Sequence, residues 1–138
     1  SQGSDIEVEV IAFPVDDLAR MRGDSVDSGG LILSGGNRIR PFFGYGKVVV
    51  QRGDRRRYEW YPKCKLSENT DEAKTSEKSF SEQTDTITIK AYAFNDAGDI
   101  KVMVDSAANN FPEGLTEEMF FAKPVLCRED LAAAVAGT

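Results

Sequence analysis

Two alternating runs joined by a long polar segment constrain this chain more than any other feature. They lie in residues 54 to 94, DRRRYEWYPKCKLSENTDEAKTSEKSFSEQTDTITIKAYAF. In the first run Arg56, Tyr58, Trp60, Cys64 and Leu66 fall on one side. Arg55, Arg57, Glu59, Tyr61, Lys63 and Lys65 fall on the other. In the second, Ile87, Ile89, Ala91 and Ala93 share one face, with Thr86, Thr88, Lys90 and Tyr92 opposite. Alternation at period two marks a half-buried strand, and Thr, Ile, Tyr and Trp suit a pleated surface. The pair reads as two antiparallel strands with one oily and one wet face. The span between them, 67 to 85, contains neither proline nor glycine. Its composition fits a disordered linker, a two-sided polar strand or an extended loop, with Phe80 as its only large apolar residue.

The flanking segments extend the β pattern. Residues 5 to 12 alternate, with Ile6, Val8 and Val10 against Glu7 and Glu9. The following PVDDLARMRG predicts a short helix packed on that strand. Pro14 fits the first turn, Asp16 and Asp17 suit the positive end of the helix dipole, and Gly23 stops it. Val15, Leu18, Ala19 and Arg22 form its narrow inward stripe. Residues 23 to 38 hold five glycines around Leu31-Ile32-Leu33, which predicts a loop with one small strand. No phosphate-cradling motif follows these glycines. Residues 39 to 51 are strand-like, and Gly44 and Gly46 mark a bulge or a close approach. Gly53-Asp54 turns that strand into the next. Asn95 to Asp99 is a further turn, and residues 86 to 105 read as a second hairpin. Thr116 caps a short helix carrying Met119, Phe120 and Phe121, ended by Pro124. Residues 128 to 136, REDLAAAVA, form an alanine-rich helix before Gly137, whose small side chains pack weakly. It lies on the domain, docks on a neighbour or frays.

Composition excludes more than it selects. One domain and one core suit 138 residues. A formal net charge of −6 argues against general nucleic-acid affinity. The chain has no histidine, the commonest general base and metal ligand. No nucleophile motif is present, carboxylates are scattered through polar loops, and no enzyme, cofactor or metal is expected. Cys64 and Cys127 read as reduced thiols, one buried in a strand, rather than a bridge. No apolar run reaches bilayer length and no secretory signal is seen, so no membrane partner is expected. Ser1-Gln2-Gly3-Ser4 reads as a processing or cloning remnant. Two Arg-Gly-Asp triplets, at 22 to 24 and 52 to 54, admit an adhesion reading, although Gly-Asp is ordinary turn chemistry. Arg55-Arg56-Arg57 in an acidic chain points to an anionic protein partner, such as another copy with its acid-rich span.

The run from Tyr58 to Phe94 resembles the major tail (tail tube) proteins of long-tailed bacteriophages, specifically the phi13-type family. An arginine-led strand ends near Tyr61 and Cys64, Glu72-Ala73-Lys74-Thr75 follows, and Gln83-Thr84-Asp85-Thr86-Ile87 opens the next strand. The order strand, short helix, glycine-rich loop and aromatic strands also matches, over about residues 5 to 126. Relatives carry more chain ahead of the first strand, and the tail after Leu126 has no counterpart. The resemblance implies a mainly β (α+β) fold. Two packed antiparallel sheets form a tail-tube-like sandwich or barrel, with a short flanking helix and a weakly packed C-terminal helix. Together with the composition, this sets the expected division as a tag or processing remnant at 1–4, a single tail-tube-like domain at 5–126 and a helical tail at 127–138.

The family implies a non-enzymatic subunit of stacked, usually hexameric rings. These assemble in the host cytoplasm into the virion tail, alongside other tail proteins. Double-stranded DNA passes through the lumen without specific binding. Candidate contact residues are Arg55, Arg57, Glu72, Lys74, Glu77 and Lys78. The alternatives are a tail terminator, neck or secretion-tube homologue, and a non-enzymatic cell-surface binding module.

Overall fold

The computed structural model describes residues 3–10, 15–36, 38–67 and 85–137. The elements are β1 (Gly3–Val10), α1 (Val15–Met21), β2 (Ser25–Val26), β3 (Ile32–Leu33), β4 (Phe43–Val50), β5 (Arg56–Leu66), β6 (Asp85–Tyr92), β7 (Val102–Asp105), α2 (Glu117–Phe121) and α3 (Arg128–Ala136). The fold is mainly β, with two antiparallel sheets and short helices. The larger sheet has the order β1-β6-β5-β4, with β7 also paired to β5, and the smaller is the β2–β3 ribbon. Of the expected sandwich or barrel, the described residues form no closed barrel. β1 starts at Gly3, inside the segment that the sequence reading set aside as a remnant.

The chain forms two compact units. One comprises Gly3–Phe43 and Cys64–Ala91. Here β5 pairs with β6 in the register Cys64↔Ala91 and Leu66↔Ile89. That register places the expected oily faces together, and Cys64, Leu66, Ile87, Ile89 and Ala91 are all buried. Helix α1 forms where predicted and contacts β2, with Ala19 buried. Gly23 ends it at φ 84, and a Cβ there would lie 2.4 Å from the Ile39 carbonyl oxygen, so both backbone and space demand glycine. Leu31-Ile32-Leu33 supplies β3, which pairs with β2 through Ser25↔Leu33 and Val26↔Ile32.

The other unit comprises Gly44–Lys63 and the chain from Tyr92 onward. β4 and β5 form the predicted hairpin around a 3-10 turn at Arg52–Asp54, with Gly53 at φ 75 and Asp54 at φ 65. The predicted turn at Asn95 to Asp99 is also made. Phe94 N–H donates to the Asp99 carbonyl at 2.9 Å, and Asp99 N–H donates to the Asn95 side chain at 2.9 Å. The second hairpin is not. β7 pairs with β5, in the register Arg57↔Asp105 to Trp60↔Val102. A strand of 11 residues offers more edge than three pairs with β6 consume, and β7 fills the N-terminal part.

One face of β4, β5 and β7 carries the core of this unit. Tyr58, Leu115, Phe120 and Val125 are buried there, with Val48, Trp60, Val102, Val104 and Phe121 packed around them. Tyr58 lies 5.7 Å from the Phe120 ring and Trp60 lies 5.5 Å from that of Phe121. A Cβ on Gly46 would sit 2.7 Å from Phe121, so this glycine admits a ring, as the sequence pattern suggested. Helix α2 starts at Thr116, whose hydroxyl accepts from Met119 N–H at 3.2 Å. Trp60 Nε1 donates to the Phe120 carbonyl at 3.0 Å, satisfying an acceptor at the helix end. Helix α3 spans the predicted residues and ends at Gly137, φ 81. It buries no residue completely, yet Leu131, Ala134 and Val135 rest on the core.

Candidate functional site

The second face of β4, β5 and β7 is built from the residues that alternation placed opposite the core. Glu59 sits at its centre and is only 1 % exposed. Burying a carboxylate is costly unless it is paired and hydrogen-bonded, and here it is both. Arg57 Nε donates to Glu59 Oε2 at 2.7 Å. Lys101 Nζ is 3.5 Å from the same oxygen, and Lys47 Nζ is 3.9 Å from Oε1. The Tyr61 hydroxyl donates to Oε1 at 3.3 Å. Both lysines also lie over the Tyr61 ring, at 6.0 and 5.8 Å from its centroid.

Strand geometry explains the convergence. Arg57 and Tyr61 flank Glu59 at period two, while Lys47 from β4 and Lys101 beside β7 reach in from the neighbouring chain segments. Burial alone would raise the Glu59 carboxyl. The Arg57 hydrogen bond and the charges of Lys101, Lys47 and Arg57 outweigh it, and the group ionises below its ordinary value. Burial first, then the Glu59 charge, pushes Tyr61 up to about 12. At neutral pH the carboxylate is therefore charged and the phenol protonated. Such a cluster holds fixed charge in place and is poorly suited to exchange protons with a substrate.

Arg55 closes the other end of the face. Its Nε and an NH₂ group donate to the two Asp105 oxygens at 3.2 and 3.0 Å. This hydrogen bond, together with one from Ala107 N–H, holds the Asp105 carboxyl below its usual range. Solvent reaches the face at Lys47, Lys101 and Arg55, whose side chains are 38 %, 39 % and 47 % exposed. Met103, which pairs with Glu59 across the strands, is an exposed apolar residue among these charges. Among the described residues, Lys47, Arg55, Arg57, Lys63 and Lys101 share this face with two acids, Glu59 and Asp105, three more bases than acids on an otherwise acidic chain.

The helical side of the same unit has the opposite sign. Residues 113–130 carry Glu113, Glu117, Glu118, Glu129 and Asp130 against Lys123 and Arg128, three negative charges net. Four of these acids occupy the first turns of α2 and α3, where the helix dipole favours them. The same helices flank a cleft of about 730 Å³, lined by Met119, Val125 and Ala134 with Glu118, Lys123 and Asp130 at its polar positions.

Of the six candidate contact residues, the structure brings Arg55 and Arg57 to this face, each paired with an acid of its own chain. Glu72, Lys74, Glu77 and Lys78, with Phe80, lie outside the described residues. Sequence reasoning passed over Glu59, Lys47 and Lys101. The available signal was a single acid flanked at period two by Arg57 and Tyr61 in a strand long enough to be central. The second Arg-Gly-Asp triplet forms the exposed tip of the β4–β5 hairpin, while the first packs its glycine against Ile39. Cys64 and Cys127 are both free, and burial pushes the Cys64 thiol up to about 11. No helix among the described residues is long and apolar enough to cross a membrane. Comparison with known protein families, curated proteins and solved structures finds no match to this chain.

Proposed function

We propose that this chain is a structural subunit that acts by self-association, a tail tube protein of the kind its resemblance to phage major tail proteins implies. Its copies form rings that stack into a conduit for double-stranded DNA, assembled in the host cytoplasm and carried in the virion tail. The supporting observation is the outer edge of β4. Among the described residues this strand ends the larger sheet; it is eight residues long and carries Val48, Val49 and Val50 without a proline. Isolated domains normally blunt such an edge, because its free N–H and C=O groups template another strand. A tube subunit uses the edge instead, since ring closure pairs it with the next copy.

Negative-stain microscopy and sedimentation of concentrated protein test the reading. Stacked rings are expected. Single rings that never stack point to a terminator or neck component. A monodisperse monomer at every concentration and salt overturns it. The Val50→Lys variant, at an exposed edge position, reduces assembly while leaving the fold intact.

A second reading rests on the hairpin tip, where Arg52, Gly53 and Asp54 are all exposed and the turn holds a guanidinium and a carboxylate on either side of glycine. A cell-surface binding module predicts that Asp54→Ala abolishes adhesion of cells to immobilised protein, while Asp24→Ala does not. Equal adhesion by both variants removes that reading.

A further inference from the structure

The unit built on β4, β5 and β7 is electrically bipolar. Among the described residues its sheet face carries five bases against two acids, gathered by the Glu59 cluster, and the α2–α3 segment, residues 113–130, carries five acids against two bases. The two lie on opposite sides of one core, because the helices cover the Tyr58 face of β5 and the lysines extend from the other. We infer that the sheet face around Lys47 and Lys101 docks on the acidic α2–α3 face of a second copy. This inference builds on the self-association proposed above and names the surfaces that meet.

Three observations lead there. The first is charge complementarity, with two surfaces of matched magnitude and opposite sign on one unit. A homologous pairing, sheet face on sheet face, brings like charges together and costs several kcal/mol in general. The second is chemistry at the sheet face. Each lysine ammonium has three N–H donors, and Glu59 faces only one side of each group, which leaves donors directed at solvent. The third is composition. Tyrosine, arginine and methionine are the residues enriched at protein interfaces, and Tyr61, Arg57 and the exposed Met103 share this face. Because the two surfaces differ, the contact is head-to-tail. Such contacts propagate into a ring when the rotation closes and into a filament when it does not.

Charge reversal with complementation is the test. The pair Lys47→Glu/Lys101→Glu makes both surfaces acidic, and the pair Glu117→Lys/Glu118→Lys makes both basic. Sedimentation is followed in about 50 mM salt, with circular dichroism confirming the fold. The unaltered chain is expected to associate and to lose at least about tenfold in association constant by 500 mM salt, as exposed charges are screened. Each reversed variant alone is expected to lose at least about tenfold in association constant, and an equal mixture of the two to recover it. If the sheet-face pair fails to fold, Lys63→Glu, exposed on the same face, replaces it in the mixture.

Normal self-association by both variants, or no recovery on mixing, overturns the inference. If Val50→Lys still abolishes assembly in that case, self-association through the strand edge stands without it. A chain that remains monomeric throughout removes both. Fluorescence anisotropy with double-stranded DNA is the control. Binding that Lys47→Glu/Lys101→Glu abolishes, in a chain that does not self-associate, assigns the face to a nucleic acid and overturns the inference.

Discussion

The two faces of β5 are buried by different means. On one, Tyr58 and Trp60 meet Phe120 and Phe121 ring against ring. On the other, Glu59 is equally inaccessible, yet what covers it is Arg57, Lys47, Lys101 and Tyr61. The aromatic face gains from removing apolar area from water, a term that involves no charges to be screened and no group that titrates near neutrality. The charged face gains only while every partner is present, because a buried carboxylate without its cations costs more than the pairing returns. The first is tolerant and non-directional, whereas the second is specific and sensitive to conditions. A carboxylate on the side of a strand that looks wet in sequence can thus be buried beneath long charged neighbours.

This comparison breaks first at the aromatic face. Phe120→Ala removes a fully buried ring and is expected to lower stability by about 3–5 kcal/mol in chemical denaturation. A cost below that of any change at the charged face reverses the ranking. Arg57→Ala leaves Glu59 to the two more distant lysines, and a loss of about 1–3 kcal/mol is expected. Adding Glu59→Gln to Arg57→Ala returns part of it, whereas a structural role for the arginine stem alone makes the two losses add. Gly46→Ala brings a methyl against the Phe121 ring, with an expected cost of about 1 kcal/mol after the gain from removing a glycine.

Proton linkage separates the faces further. The Glu59 carboxyl ionises below its ordinary 4.5 in the folded chain. Its contribution is therefore complete above 4.5 and is lost as pH falls through the lower folded value. Tyr61 behaves in the opposite sense. The unfolded phenol ionises near 10.0 and the folded one near about 12, so stability declines as pH rises through that interval. Denaturation midpoints measured across both windows should show these losses, and Glu59→Gln should flatten the acid limb. The smallest effect is expected at the rim, where Arg55→Ala leaves the melting temperature unchanged within error. The Arg55–Asp105 pair is solvated, and such pairs contribute little.

The sequence by itself determined the elements whose causes are local. Period two located β5 and β6 and put Cys64, Leu66, Ile87 and Ile89 on the buried side. Thr116, Gly23, Gly53 and Gly137 marked helix ends and a turn through capping and positive φ, which a few neighbouring residues decide. Only the tertiary structure decided what depends on distant partners. β7 lies on β5 because that strand had edge to spare, and no pattern inside residues 86 to 105 records this. Glu59 is buried because cations from three separate segments converge on it. Alternation says which side a residue takes, but how many long side chains will cover it is settled only when the strands come together.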